Sequence, residues 1–280
     1  MNVCIIGLGL IGGSMALDLK KRGFSDSIIG VDNNVQHANI AKLSGLVEET
    51  VPLESGITQS DLIILATPID ATKGLLPEVL DLCLGTDKVV TDVGSTKAGI
   101  IEKVMNHPNR AQFVAAHPMA GTEFSGPLAA ISRLFDYKTA IICERQQSAE
   151  TAVNLVVRMF ETLHMNVIFM EAHQHDVSAA YVSHISHLTS FALSLAVLEK
   201  EKDEKRILDL ASGGFASTVR LAKSSAEMWV PVFDQNATYI LEVLDTYIEK
   251  LNLFRKSIEE KKLDQLTELI HESNKIQKIL

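Results

Sequence analysis

The sequence predicts an α/β fold: a doubly wound parallel sheet over residues 1–170, followed by an all-helical domain over residues 171–280. Three observations predict it. Short β-branched runs alternate with helical-period segments through the first 170 residues. The strand signal stops after Met170. A glycine-rich turn joins the first strand to the first helix. At about 150 residues per domain, 280 residues suit two ordinary domains. A chain that is 46% hydrophobic and 22% charged can bury a real core. Lys plus Arg is 26 against 35 for Asp plus Glu, a net charge of −9. With no Lys/Arg-rich run, that balance excludes a nucleic-acid partner, because phosphate contacts need a basic surface.

The strand candidates are Val3–Gly7, Ile28–Asp32, Leu62–Thr67, Lys88–Asp92, Phe113–His117, Lys138–Cys143 and Val167–Met170. Helical-period segments such as Ser14–Arg22, Val35–Ser44, Thr72–Leu82 and Gly99–His107 lie between them. Strands alternating with helices imply parallel pairing, and near-continuous apolar strands imply a sheet covered on both faces. Cys4, Cys83 and Cys143 sit in or beside apolar runs, without metal-ligand spacing, and read as buried thiols in a reducing compartment. Residues 1–17 are uncharged and largely apolar, but the first Lys is Lys20 and glycines interrupt the run, which argues against a secretory signal. No 18-residue apolar stretch predicts a membrane span. A soluble cytoplasmic protein is expected.

His175–Lys200 reads as one long helix whose second half, Leu188–Leu198, is apolar almost all round. Such a helix needs burial on every side, and a domain of about 110 residues covers it poorly alone. Subunit contact, a homodimer through the helical domain, is therefore expected beside the alternative of burial within its own domain. Glu199–Arg206 reads as a solvated turn between helices.

Gly7-Leu8-Gly9-Leu10-Ile11-Gly12 is a GxGxxG turn in its required place, after a strand and opening a helix. Gly7 permits the tight turn, Gly9 lets backbone approach a pyrophosphate, and Gly12 lets helix and strand pack closely. The free N–H groups of the first turn, around Leu10 and Ile11, then hold the phosphates. Asp32, 20 residues beyond Gly12, ends the second strand, where a carboxylate accepts hydrogen bonds from the adenosine ribose. Asn33 and Asn34 follow, with no Arg for a 2′-phosphate, so the expected cofactor is NAD and the first domain is Rossmann-type. Thr67-Pro68 ends the Leu62–Thr67 strand where a loop passes near the cofactor.

Two further strands end in polar clusters, Asp92–Lys97 and His117–Glu123. The carboxyl ends of strands open onto the ligand crevice of this fold, which places His117 toward the nicotinamide. A neutral imidazole there takes a proton from a hydroxyl as hydride leaves. Ser95 either donates to the substrate hydroxyl or to that histidine, or caps the next helix. In the helical region His184 and His187 lie about 60° apart on one helical face, whereas His175 lies about 180° from His184. Without a break in the helix the three cannot share one ion, and no carboxylate lies within a turn of His184 or His187, so no metal is expected. Histidines facing a substrate fit better. Gly213-Gly214 allows an unusual turn, and Arg220, between it and the single Trp229, offers a planar fork for a carboxylate.

The motifs GLGLIGGS (7–14), DVGSTK (92–97), HPMAGTEFSG (117–126), HDVSAAYVSHISH (175–187) and GGFASTVRLAKSSAEMW (213–229) resemble those of the prephenate, arogenate and cyclohexadienyl dehydrogenases of tyrosine biosynthesis. They follow the family order and span both domains, and HPMAG with SHxxH is far more specific than the glycine turn. The resemblance implies a Rossmann domain followed by a helical dimerisation domain. It implies NAD-dependent oxidative decarboxylation of prephenate to 4-hydroxyphenylpyruvate, or of arogenate to tyrosine. It implies His117 as the catalytic histidine, Ser95 as its partner near the nicotinamide, and Glu123 as an acid governing substrate access. His184 and His187 then line the pocket, and Arg220 binds a carboxylate. The chain departs from the pattern at Ser186, where Pro is frequent, and at Ser217, where an acid is frequent. No segment remains for a chorismate mutase or an amino-acid-binding regulatory domain, so tyrosine inhibition, where present, is expected at the active site.

Two other readings compete. A β-hydroxyacid or imine reductase shares the layout but usually places a catalytic Lys on a helix of the second domain; here His175–Lys200 carries Lys only at its end. A non-catalytic dinucleotide sensor would keep Gly7, Gly9, Gly12 and Asp32 without needing His117 or Arg220.

Overall fold

The computed structural model describes residues 1–279. The first part of the chain alternates β1 (Asn2–Ile6), α1 (Leu10–Lys21), β2 (Ser27–Val31), α2 (Val35–Leu43), β3 (Glu49–Thr50), α3 (Leu53–Thr58), β4 (Leu62–Leu65) and α4 (Ile69–Leu82). It continues through β5 (Val89–Asp92), α5 (Ala98–Val104), β6 (Phe113–Pro118), β7 (Thr139–Cys143), α6 (Glu150–Thr162) and β8 (Asn166–Met170). Among the described residues these strands form one eight-stranded sheet in the order β3-β2-β1-β4-β5-β6-β7-β8. The strand order reverses beside β1, and the carboxyl ends of β1 and β4 open the crevice there.

Two features depart from the sequence reading. The two-residue β3 is too short to leave an apolar run of its own. β7 pairs antiparallel with β6, from Ala115 opposite Cys143 to Pro118 opposite Ala140. A parallel return needs a crossover, usually a helix, and residues 119–138 supply only a short 3-10 turn at Pro127–Ala129, so the chain comes back reversed. β8 then pairs parallel with β7 after crossing through α6.

Alternation along β6 sends Val114 and Ala116 into the core on the α1 and α6 face. Phe113 and Ala115 enter the opposite core, shared with α4 and α5. His117 follows in the second register, so its side chain emerges on the face where the helical part of the chain packs through Ala172, Trp229 and Val232. The three cysteines are buried and unpaired; burial pushes the Cys4 and Cys143 thiols up to about 12 and that of Cys83 to about 11.

From Ala172 the chain is helical: α7 (Ala172–Ala179), a π-turn (Ala180–His184), α8 (Ile185–Asp203), α9 (Gly213–Thr218), α10 (Ala226–Gln235), α11 (Ala237–Glu259) and α12 (Leu263–Ser273). The expected helix over 175–200 exists but is interrupted by the π-turn and runs on to Asp203, so most of Glu199–Arg206 is helix end and not turn. Residues 172–203 form a rod long and apolar enough, by length and composition alone, to cross a membrane, and little of its apolar stretch is buried in the monomer. Leu195 and Leu198 are 68% and 51% exposed, so burial within its own domain is not how this helix is covered. Gly213 and Gly214 begin α9 in ordinary helical conformation instead of forming a special turn.

Candidate active site

The glycine turn is built by steric necessity. Gly7 has φ +96°, a left-handed conformation, and a Cβ there would stand 2.6 Å from the Ala66 carbonyl oxygen. A Cβ on Gly12 would stand 2.0 Å from the Gly7 oxygen, so α1 is pressed directly on the turn. Gly9 is the N-cap of α1, without a side-chain cap, and nothing lies within 4 Å of the position its Cβ would take. The first turn of α1, with Leu10 and Ile11, thus presents free amides to an open space that accepts a phosphate. The cradle fits a dinucleotide. Asp32 lies at its edge: one carboxylate oxygen accepts from the Leu8 amide at 2.9 Å and the other from Asn34 at 2.9 Å. On the neighbouring strand, Thr67 Oγ1 pairs with Thr72 Oγ1 at 2.7 Å, and Pro68 is the N-cap of α4.

The segment after β6 returns to this cradle. Ala130 lies against Gly13, and the Ile131 amide donates to Ser14 Oγ at 3.0 Å. The chain that carries His117 at one end therefore reaches the start of α1 at the other. Midway, Glu123 accepts from Arg220 at 2.8 Å, an ion pair between the α/β and helical parts. The hydrogen bond from its own amide and the Arg220 guanidinium hold the Glu123 carboxyl below its usual value.

His117 is buried, and its Nδ1 lies 2.8 Å from Nε2 of His175. Nδ1 of His175 lies 2.8 Å from Oδ1 of Asp176. Asp176 also takes the amides of Lys97 at 2.7 Å and Ala98 at 2.9 Å, so a residue of α7 caps α5. Burial alone would raise the Asp176 carboxyl; the hydrogen bonds from His175 and the two amides outweigh it and hold it below the usual carboxylate value. Beneath His117, the fully buried Lys97 ammonium pairs with Asp92 and donates to the Ala116 carbonyl at 2.7 Å, while the Ala116 amide donates to Asp92. Burial, then the neighbouring His175, Lys97 and His184, push His117 well below its ordinary value, so the imidazole is neutral. A neutral imidazole with Nε2 unbonded to any protein group among the described residues is a proton acceptor.

Ser95 is half-buried in the loop after β5, with no hydrogen bond from its side chain to His117 or to α5 among the described residues. The cap is supplied by Asp176, so the capping alternative for Ser95 is not realised. His184 is sealed inside: Nδ1 accepts from Asn236 Nδ2 at 3.0 Å, and the same amide donates to the Asp176 carbonyl. Its Nε2 is buried without a hydrogen-bond partner among the described residues, and burial brings its pKa down to about 4. His187 donates through Nδ1 to the Ser183 carbonyl at 3.1 Å and stacks on Trp229 at 3.6 Å between ring centroids. Burial lowers His187 as well.

Comparison with known proteins follows the same division of the chain. The family model described as "Prephenate dehydrogenase, nucleotide-binding domain" matches residues 15–169, and "Prephenate dehydrogenase, dimerization domain" matches residues 171–272. The chain belongs to the prephenate dehydrogenase family. A prephenate dehydrogenase of Lactococcus lactis is 31% identical over all of this chain and 77% of its own length. The crystal structure of Aquifex aeolicus prephenate dehydrogenase with hydroxyphenyl propionate and NAD+ superposes with a TM-score of 0.87 at 28% identity, covering 100% of this chain and 97% of that one. Synechocystis arogenate dehydrogenase superposes at 0.78 and 28% identity over 99% of both chains.

The structure pairs Glu123 with Arg220, sets His117 against His175, and seats His184 and His187 around Trp229. Sequence reading missed His175, Asp176 and Asn236 as parts of the site. The signal for the first two was present: Ala172, His175, Asp176 and Ala179 form the buried stripe of α7 at helical spacing. The π-turn, which winds more slowly than an α-turn, is the break that lets His184 reach the Asn236 amide bound to Asp176.

Proposed function

We propose that this member of the family is an NAD-dependent prephenate dehydrogenase, which oxidises and decarboxylates prephenate to 4-hydroxyphenylpyruvate in tyrosine biosynthesis. The observation that carries the reading is His117: a neutral, buried imidazole at the carboxyl end of β6, on the segment that reaches back to the glycine cradle. Gly7, Gly9, Leu10, Ile11 and Gly12 would hold the pyrophosphate, Asp32 the adenosine ribose, and Thr67 and Pro68 the flank of the cofactor. The bound nicotinamide supplies the hydride acceptor. His117 Nε2 takes the proton of the ring 4-hydroxyl as the carbon beside it is oxidised, and loss of CO2 then makes the ring aromatic. Ser95, on the neighbouring strand end, donates to the same hydroxyl. Arg220, presented by Glu123, holds a carboxylate of the substrate, and His187 walls the pocket beside Trp229, with the sealed His184 packed behind that indole. Fixing the ring against these groups makes the transfer intramolecular in effect.

The exposed apolar length of α8, beside the family's dimerization domain, supports a homodimer through the helical part. Division into a dinucleotide-binding domain of 1–170 and a helical domain of 171–280 follows the change of architecture at Met170. Three buried free thiols suit a reducing cytoplasm.

The experiment is NADH formation with NAD and prephenate, with arogenate and NADP run alongside, because a solved relative at 28% identity is an arogenate dehydrogenase. Turnover of prephenate with NAD is expected; no turnover of either substrate in a folded, NAD-binding protein overturns the reading. His117→Asn should lower kcat by about 10²–10⁴-fold, the usual weight of a general base, with NAD affinity retained.

A further inference from the structure

The geometry points to His175 as a positioning residue that also relays a proton: as His117 accepts the substrate's hydroxyl proton at Nε2, its own Nδ1 proton passes to Nε2 of His175, beside Asp176. This inference rests on the dehydrogenase reading above.

The hydrogen-bond network dictates the tautomers. Asp176 spends both carboxylate oxygens on main-chain amides of Lys97 and Ala98, so it is an acceptor and His175 Nδ1 must carry the proton between them. With a single ring proton on His175, held at Nδ1, its Nε2 is a bare lone pair. Only a donor satisfies it at 2.8 Å, so His117 bears its proton on Nδ1. That leaves Nε2 of His117 as the lone pair available to a ligand. Each tautomer follows from the one behind it, starting at a carboxylate anchored to backbone.

Charge balance favours the transfer. The titratable and charged groups nearest the pair are Asp176 on α7, Asp92 and Lys97 at the end of β5 and just beyond it, and His184 on the π-turn, with Cys143 on β7 and Glu144, which accepts from the Ala172 amide, farther out. Two carboxylates face one ammonium, while the thiol stays protonated and His184 neutral. The cluster thus holds one uncompensated negative charge, on Asp176, and one proton delivered to His175 neutralises it. A cation left on His117 would instead lie beside the Lys97 ammonium in a buried site, the arrangement that makes His117 alone a poor base. In the relay the alcohol O–H bond breaks and an Nε2–H bond forms on His117. The Nδ1–H bond of His117 breaks and an Nε2–H bond forms on His175, which keeps its Nδ1 proton on Asp176. The carbinol C–H pair leaves as hydride to NAD, and the pair of the C–CO2 bond enters the ring. Once CO2 has left and the ring is aromatic, reversal of the two proton steps returns the proton to the phenolate oxygen, so 4-hydroxyphenylpyruvate leaves with its hydroxyl restored and no net proton is released.

Two measurements test this. In the cofactor-free wild-type protein, ¹⁵N NMR of labelled histidines should show His117 protonated at Nδ1 and bare at Nε2, with His175 protonated at Nδ1. A His117 protonated at Nε2 overturns the relay, whatever the enzyme does in assays. In His175→Gln the side-chain oxygen still accepts from His117 Nδ1 but cannot be protonated. Expected are KM and the Kd for NAD within about twofold of wild type, a kcat lower by about a hundredfold, and the acidic limb of the kcat–pH profile moved to lower pH. Wild-type kcat with an unmoved limb overturns the proposal. If His175→Gln does not fold, the wild-type NMR result decides. A wild type that turns over neither prephenate nor arogenate refutes the dehydrogenase reading instead, which the tautomer measurement does not address.

Discussion

Among single residues, His184 couples stability to acidity. Its folded pKa of about 4 lies below the ordinary histidine value of 6.5, because burial penalises the cation. Between those two values the unfolded chain binds a proton that the folded chain refuses, so stability falls as pH drops from about 6.5 toward 4 and levels off below. A shift of that size corresponds to roughly 3 kcal/mol. Urea unfolding across this range should show the slope, and His184→Gln should make it shallower, leaving the part that the depressed His117 and His187 contribute. Arg220 is the other residue with a direct readout. Its guanidinium is half-exposed and engaged by Glu123, so Arg220→Ala should leave the melting temperature nearly unchanged. Loss of a charge-assisted bond to a substrate carboxylate should raise KM by about ten- to a hundredfold in steady-state assays. His117, Glu123 and Arg220 could be singled out as candidates in the sequence because each stands in or beside a short motif. His175 was not, because its partner His117 is 58 residues away and only the packing of α7 on the sheet brings them together.

For whole elements, the junction of β1 and α1 makes a prediction that separates folding from binding. A Cβ on Gly12 collides with the Gly7 carbonyl, a backbone atom that cannot swing aside. Gly12→Ala should therefore lower the melting temperature and NAD affinity together. Gly9→Ala meets no protein atom within 4 Å, so it should fold with an unchanged melting temperature. In the proposed cofactor pose its methyl group would take the place of the pyrophosphate, and the Kd for NAD should rise by about tenfold or more, equivalent to about 1.4 kcal/mol, in a fluorescence titration. The alternation of strand and helix was readable because each parallel step leaves an apolar run and a helical period. The reversal at β7 was not, since orientation depends on what the 119–138 connection lacks. Nor was the π-turn, because inserting a wide turn changes which residues share a face without changing composition.

The scale of the whole molecule is where the all-apolar helix finds its explanation. Exposed side chains on α8, with Leu195 and Leu198 foremost, form the apolar surface that the proposed homodimer would cover. Leu195→Asp combined with Leu198→Asp should convert a dimer into a monomer in light scattering at micromolar concentration, and a variant that stays dimeric would place the subunit contact elsewhere. The same scale gives meaning to Asp176. It belongs to the helical half, yet it closes the open end of α5 in the nucleotide half and steadies the imidazole pair between them. One carboxylate thus serves as the keystone of both halves. Neither can present a finished reaction centre by itself, and severing the chain near residue 170 would leave α5 frayed and His117 without its backing.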